Sequence, residues 1–225
     1  MSRLERLIAR LRTFYGILPV PPHDPFALFV WEVLSAHSTP RKRDAALAAL
    51  KRIPALTPGA MSRAPRAKLE ASVGLAGPYV EQRLQALRTG IDLLRCAPDL
   101  LAVARGPLPA ARRALKRFPG PGQDGVDRML LFAGGHVVLP VDTHVHRVGL
   151  RLGYGRTDPD FRTSMRTVKR ALAGELARSA GAFRSAFVYL SHHGAATCTE
   201  GEPRCAVCPL VEECPEGKAR AGRNE

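Results

Sequence analysis

Four cysteines crowd into the stretch CTEGEPRCAVCPLVEEC as Cys198, Cys205, Cys208 and Cys214, spaced C-x6-C-x2-C-x5-C. Four thiolates on one short loop can surround a tetrahedral zinc ion or bind the irons of a [4Fe–4S] cluster, since both take four sulfur ligands. Structural zinc sites usually present two separated pairs of close cysteines; this loop has one such pair, so the spacing favours the cluster while leaving zinc open. His192 and His193 stand nearby but are read as ordinary helix residues, because four cysteines already complete a ligand set. The remaining cysteine, Cys96 in DLLRCAPDLL, stands alone and reads as a small core residue.

A second stretch, RFPGPGQDGVDRM, lies between two helical patterns. Its segment Pro119 to Gly122 carries Gly120 and Gly122, which are free to take positive φ and bring the backbone close to a partner. Amides here and at the start of the following helix can grip a phosphate oxygen without a long cationic side chain. Taken alone, such a turn joins helices as often as it binds an anion. Asp124 just beyond the tip reads in two ways: as a first-turn acid, favourable by roughly 0.3–1 kcal/mol through the helix dipole, or as a carboxylate lining a pocket. Further on, PVDTHVHRV sets Asp142 just before a helical stretch, where it is either a plain N-cap or a carboxylate available for chemistry.

The elements that must hold these groups are helices. Leu4, Leu7, Ile8 and Leu11 recur at helical spacing in MSRLERLIARLRTFYG, which suits an amphipathic surface helix better than a signal peptide. Asp24 and Pro25 look like the N-cap and first residue of FALFVWEVLSAHS, a core helix that Thr39-Pro40 is expected to end. RKRDAALAALKRI, RAKLEASVGLA, VEQRLQALRTGIDLLRCA, PAARRALKRF, GVDRMLLFAGG, DFRTSMRTVKRALAGEL and SAFVYLSHHGAA repeat the pattern between Pro, Gly or Ser breaks. Alternation suggestive of a strand extends no further than a few residues at His136 to Pro140, so the predicted fold is all-α. The apolar runs are too short for a membrane span of roughly 18–20 residues, and an intracellular protein is expected. With 34 Lys and Arg against 20 Asp and Glu, the 225 residues carry +14, a charge that favours a polyanionic partner, with a merely solvated basic surface as the alternative.

The hairpin, VDTHVHRV and the cysteine loop, in that order and spacing, resemble the endonuclease III family of helix-hairpin-helix DNA glycosylases with an iron–sulfur cluster. PFALFVWEVLSAHST resembles the first core helix of that family, ending in a loop that enters the duplex; SVGLAGPYVEQRLQAL resembles the segment with a second inserted residue, and HHGAATC the approach to the cluster. The resemblance implies two helical domains with a DNA-binding cleft between them. Residues 23–136 would form a six-helix domain with the hairpin, 1–22 and 137–217 a cluster domain, and 218–225 a tail. It further implies that Asp142 is the catalytic aspartate, that Leu75 wedges into the strand opposite the lesion, and that His37 fills the space left by the flipped nucleotide. Pro119, Gly120 and Gly122 would grip a phosphate, Arg204 would reach another, and Cys198, Cys205, Cys208 and Cys214 would hold a [4Fe–4S] cluster. The implied partner is double-stranded DNA with a damaged or mismatched base, bound by a cytoplasmic monomer.

At one position the chain departs from the family. Bifunctional members place a lysine two residues after the last glycine of the hairpin, where it attacks the sugar C1′ and forms a Schiff base; this chain has Asp124 there, which cannot form an imine. What the resemblance then implies is a monofunctional glycosylase in which Asp142 stabilises an oxocarbenium-like state and directs water onto it, with Asp124 as a second acid. The alternative is a catalytically weak protein that binds damaged DNA or senses redox state on the same fold.

Overall fold

A computed structural model describes residues 1–96 and 99–221. The side chain of Cys96 lies outside the described residues, and so do residues 222–225 of the expected tail 218–225, whose first half belongs to the last helix. Among the described residues the chain forms thirteen α-helices and two 3₁₀ turns and no strand, so the fold is all-α. Two compact units divide it, Met1–Val20 with Val137–Glu225, and Pro21–His136.

The chain opens with α1 (Arg3–Tyr15), whose capping box pairs the Ser2 hydroxyl with the Glu5 amide and the Glu5 carboxylate with the Ser2 amide. Its stripe of Leu4, Leu7, Ile8 and Leu11 is buried. Residues Pro21–His136 contribute α2 (Pro25–Ser35), α3 (Pro40–Arg52), α4 (Pro58–Arg63), α5 (Arg66–Gly74), α6 (Val80–Cys96), α7 (Leu100–Arg105), α8 (Leu108–Leu115) and α9 (Gln123–Phe132). The core of this unit is α2. Asp24 caps it at 2.7 Å from the Ala27 amide, and every residue from Pro25 to Leu34 is buried. Phe29 lies against Gly90 of α6, where a Cβ would come within 2.3 Å of the ring; the ring occupies the space that any other residue type would fill.

The end of α2 differs from the sequence expectation. The helix stops at Ala36, and Thr39 (φ −91°, ψ 156°) caps α3 instead, accepting from the Lys42 amide at 3.3 Å with Pro40 as first helical residue. Proline pushes its predecessor into extended backbone, which ends one helix but equally suits the N-cap of the next. The result is a short loop, 36–39, that carries His37.

The other unit adds α10 (Thr143–Arg151), α11 (Phe161–Gly174), α12 (Ala180–Ala196), 3₁₀ turns at Cys205–Val207 and Val211–Glu213, and α13 (Pro215–Ala221). Both α1 and α10 pack on α12. Gly194 permits the approach of α10, since a Cβ there would meet the His144 carbonyl oxygen at 2.9 Å. Glu175 ties α1 to the rest, accepting from the Leu4 amide at 2.7 Å and from the Tyr154 hydroxyl at 3.0 Å. Burial and that carboxylate push the Tyr154 phenol up to about 12.

Candidate active site and cysteine loop

Asp142 is the N-cap of α10. Its Oδ1 accepts the Val145 amide at 2.8 Å and its Oδ2 accepts the Ser191 hydroxyl, from α12, at 2.7 Å. The carboxylate is half-buried at the positive end of a helix, a favourable place for an anion. Two bonds fix its plane, and each oxygen keeps a lone pair. A carboxylate held this way can stabilise positive charge developing nearby without reorganising. The two histidines of the same motif turn to packing: His146 Nε2 pairs with Ser164 Oγ at 2.8 Å in a site where burial lowers its proton affinity, and His144 Nδ1 accepts from Arg147 at 3.0 Å.

The hairpin connects α8 to α9. Gly120 stands at φ +103°, and a Cβ there would lie 2.8 Å from Val33 of α2, so position 120 needs glycine for both conformation and space. Gly122 is the N-cap of α9 without a side-chain cap, which leaves the first amides of that helix free of an internal acceptor. Asp124 is the acid of the first turn of α9, and its Oδ2 pairs with Nη1 of Arg128 one turn on at 2.9 Å. Arg128 also holds buried Glu32 of α2 through both carboxylate oxygens, at 2.6 and 2.8 Å. Glu32 presses on Gly125 so closely that a Cβ there would come within 2.6 Å of Oε2. The acid beyond the tip therefore belongs to a network of two carboxylates on one guanidinium beneath the hairpin. Asp124 and Asp142 sit in different compact units.

His37 and Leu75 lie on two loops of the Pro21–His136 unit that Arg83 joins. Only 3% exposed, Arg83 donates to the carbonyls of Ala36 at 2.6 Å, Ala76 at 3.3 Å, Gly77 at 3.0 Å and, more closely, Pro78. His37 is exposed and Leu75 is 46% exposed.

The four cysteines follow the end of α12, each half-buried, and line one cavity with Arg151, His193, Leu210 and Gly217. Hydrogen bonds converge on their sulfurs: Arg151 Nη1 donates to Cys198 at 3.3 Å, the Leu210 amide to Cys208 and the Gly217 amide to Cys214, both at 3.4 Å. Burial, and after it the neighbouring cysteines, push the Cys208 thiol up to about 11, and burial raises the Cys214 thiol as well. Among the described residues no three His, Cys, Asp or Glu side chains close to the spacing of a single metal ion. Four cysteines lining one cavity are a donor set that a [4Fe–4S] cluster or a zinc ion could take, since both accept four sulfur ligands. His193 stands beside them with Nε2 3.7 Å from Cys208 Sγ and Nδ1 2.8 Å from the Tyr15 hydroxyl; burial lowers it to about 4. The Arg204 side chain, inside the loop, is exposed.

Several site residues escape the sequence reading. Glu32 carried a signal, an acid inside an otherwise apolar helix, which demands a buried partner. Ser191, Arg83 and Arg151 carried none.

No protein-family model matches the chain. Endonuclease III of Bacillus subtilis (strain 168) is 32% identical over 120 residues, which cover 51% of this chain and 50% of that one. Endonuclease III of Treponema pallidum (strain Nichols) is 29% identical over 194 residues, 85% of this chain and 83% of the other. Among solved structures, a non-covalent endonuclease III–DNA complex is similar with a TM-score of 0.75 and 24% identity, covering 99% of this chain and 100% of that one, a likeness of fold.

Proposed function

We propose that the chain, similar as it is to endonuclease III enzymes, is a member of that family and a DNA N-glycosylase of base-excision repair, hydrolysing the glycosidic bond of a damaged or mismatched base in duplex DNA without cutting the strand. The observation that carries the hydrolytic part is the 2.9 Å ion pair of Asp124 with Arg128. Where a lysine would attack the sugar, a paired carboxylate stands instead, and it cannot form the imine that strand elimination requires.

Asp142 then takes the central role. As the bond from C1′ to the base nitrogen breaks, the base leaves with the bonding pair and is protonated by solvent. The sugar becomes oxocarbenium-like, and the fixed carboxylate of Asp142 stabilises it. Water adds to C1′ and gives its proton to Asp142. Pro119, Gly120 and Gly122, with the first amides of α9, hold a phosphate; His37 fills the space left by the flipped nucleotide and Leu75 wedges into the strand opposite the lesion; Arg204 meets a further phosphate. Cys198, Cys205, Cys208 and Cys214 would hold a [4Fe–4S] cluster, whose contribution is to cross-link the loop that carries Arg204. The net charge of +14 supports a polyanionic partner met by a monomer at the nucleoid.

The test is incubation with duplexes carrying oxidised pyrimidines, uracil, T:G mismatches, alkylated purines or a bare abasic site, each split between neutral and hot-alkaline work-up. Base release with strand breaks only after alkali is the expected result. Breaks at neutral work-up would show that another amine does the chemistry. Tight binding with no release in either arm would favour a damage-binding protein instead.

A further inference from the structure

Tyr79 has no part in the site described so far. It sits at the end of the loop before α6, 51% exposed, with φ +71°. His37, across from it, has φ +51°, and the two ring centroids are 5.2 Å apart with planes at 48°. Left-handed backbone is unfavourable for residues with a Cβ, and for a bulky aromatic most of all; where it persists, the surroundings impose it, and such positions concentrate at ligand-binding sites. Here the surroundings are Arg83. Buried, and with Nε lacking a partner, it bonds the carbonyls of residues 36 and 76–78, so both loops are held in shape from beneath. The chain therefore holds two exposed rings rigidly, in a conformation that glycine would adopt with less strain. Burial of either ring in the fold does not account for it. Arg41 and Lys42, both exposed, follow His37 at the start of α3, and Leu75 is exposed on the loop of Tyr79.

A preformed pair of exposed rings beside exposed cations suits a planar ring on a polyanionic backbone. In an intact duplex the faces of the bases are covered by their neighbours, so a ring at a loop tip can reach one only where a nucleotide has left the stack. We infer that Tyr79, with the tilted ring of His37 against it, stacks on the unpaired base left in the complementary strand when its partner is flipped out or missing. The inference deepens the glycosylase reading and rests on it for the identity of the DNA. It adds a binding residue beyond the inserted His37 and Leu75, and one suited to any base, since every base has a π-face.

The experiment measures affinity, at one fixed salt concentration, for a duplex containing a stable abasic-site analogue and for the same duplex intact, using the wild type, Tyr79→Phe and Tyr79→Ala. Tyr79→Ala is expected to bind the abasic duplex about 5- to 150-fold more weakly with intact-duplex affinity within about twofold, and Tyr79→Phe to match the wild type. A 5-iodouracil placed opposite the abasic position should photocrosslink to Tyr79. Unchanged affinity of Tyr79→Ala for the abasic duplex, or equal loss on both duplexes, overturns the inference. If that result accompanies normal base release in the lesion panel, the glycosylase reading stands alone. If the tyrosine-dependent preference holds while the wild type releases no base, stacking stands and catalysis falls.

Discussion

The hydroxyl of Ser191 donates a 2.7 Å hydrogen bond to Oδ2 of Asp142, across the packing of α12 on α10. The carboxylate thus has one oxygen tied to its own helix and the other to a second helix, which fixes its rotation. A hydrogen bond to a charged group contributes about 1.5–3 kcal/mol. Ser191→Ala should therefore slow single-turnover base release by about 10- to 100-fold with DNA affinity nearly unchanged. Asp142→Asn should lose about 100- to 1000-fold or more. Ser191→Thr keeps a hydroxyl and should recover much of the loss. If Ser191→Ala and wild type release base at the same rate, the hydroxyl has no positioning role.

Arg128 joins Glu32 and Asp124. Arg128→Met leaves Glu32 charged and uncompensated among apolar neighbours, at a cost of about 3–5 kcal/mol. Removing both charges in Glu32→Met, Arg128→Met should restore most of that loss, because a buried ion pair has little net advantage over apolar residues of similar volume. Denaturant unfolding of the two single variants and the double gives the coupling directly. Additive losses would mean that the pair is not the reason each residue matters.

Asp124→Lys restores an amine two residues beyond the hairpin. Treated with borohydride on a damaged duplex, this variant should yield a covalent protein–DNA adduct that the wild type does not form. Equal trapping by the wild type would show an amine already in reach of the sugar.

Metal analysis of protein purified without oxygen should give about four irons and four sulfides per chain, and Cys208→Ser should lose both together with thermal stability. One zinc per chain and no sulfide would assign the cysteines to a mononuclear site.

His146 is buried against Ser164 and Phe161, and burial lowers its proton affinity below the ordinary histidine value near 6.5. Below that pH the unfolded chain takes up the proton more readily than the folded one. The stability it supports is therefore complete above about 6.5 and declines as pH falls. Unfolding midpoints at pH 7.5 and 5.0 should differ less in His146→Asn than in wild type; an unchanged difference would remove His146 from the acid response.

What was legible in the sequence follows from how local each feature is. Leucine and alanine periodicity is written within a helix, so α3, α5, α6 and α11 could be read from it, whereas α4 and α7, six residues each, are too short to show a period. The cysteine loop and the hairpin are local motifs and were visible as such. The pairing of Ser191 with Asp142 spans 49 positions and that of Arg128 with Glu32 spans 96. Both arise only when helices cross, and a hydroxyl or a guanidinium inside a helical run does not announce which carboxylate it will meet. Thr39-Pro40 suits a stop because proline ends a helix; the same geometry starts one, and only the position of Ala36 decides between them.

One unit is assembled from both ends of the chain, Met1–Val20 and Val137–Glu225. α1 leaves the ribosome long before α12, with Leu4, Leu7, Ile8 and Leu11 on one side, yet the helix that covers them begins only at Ala180. The Pro21–His136 unit can fold while α12 is still being made; α1 waits meanwhile with its oily stripe bare. Assembly of the two-ended unit is therefore a later event in the life of a nascent chain than the folding of its neighbour.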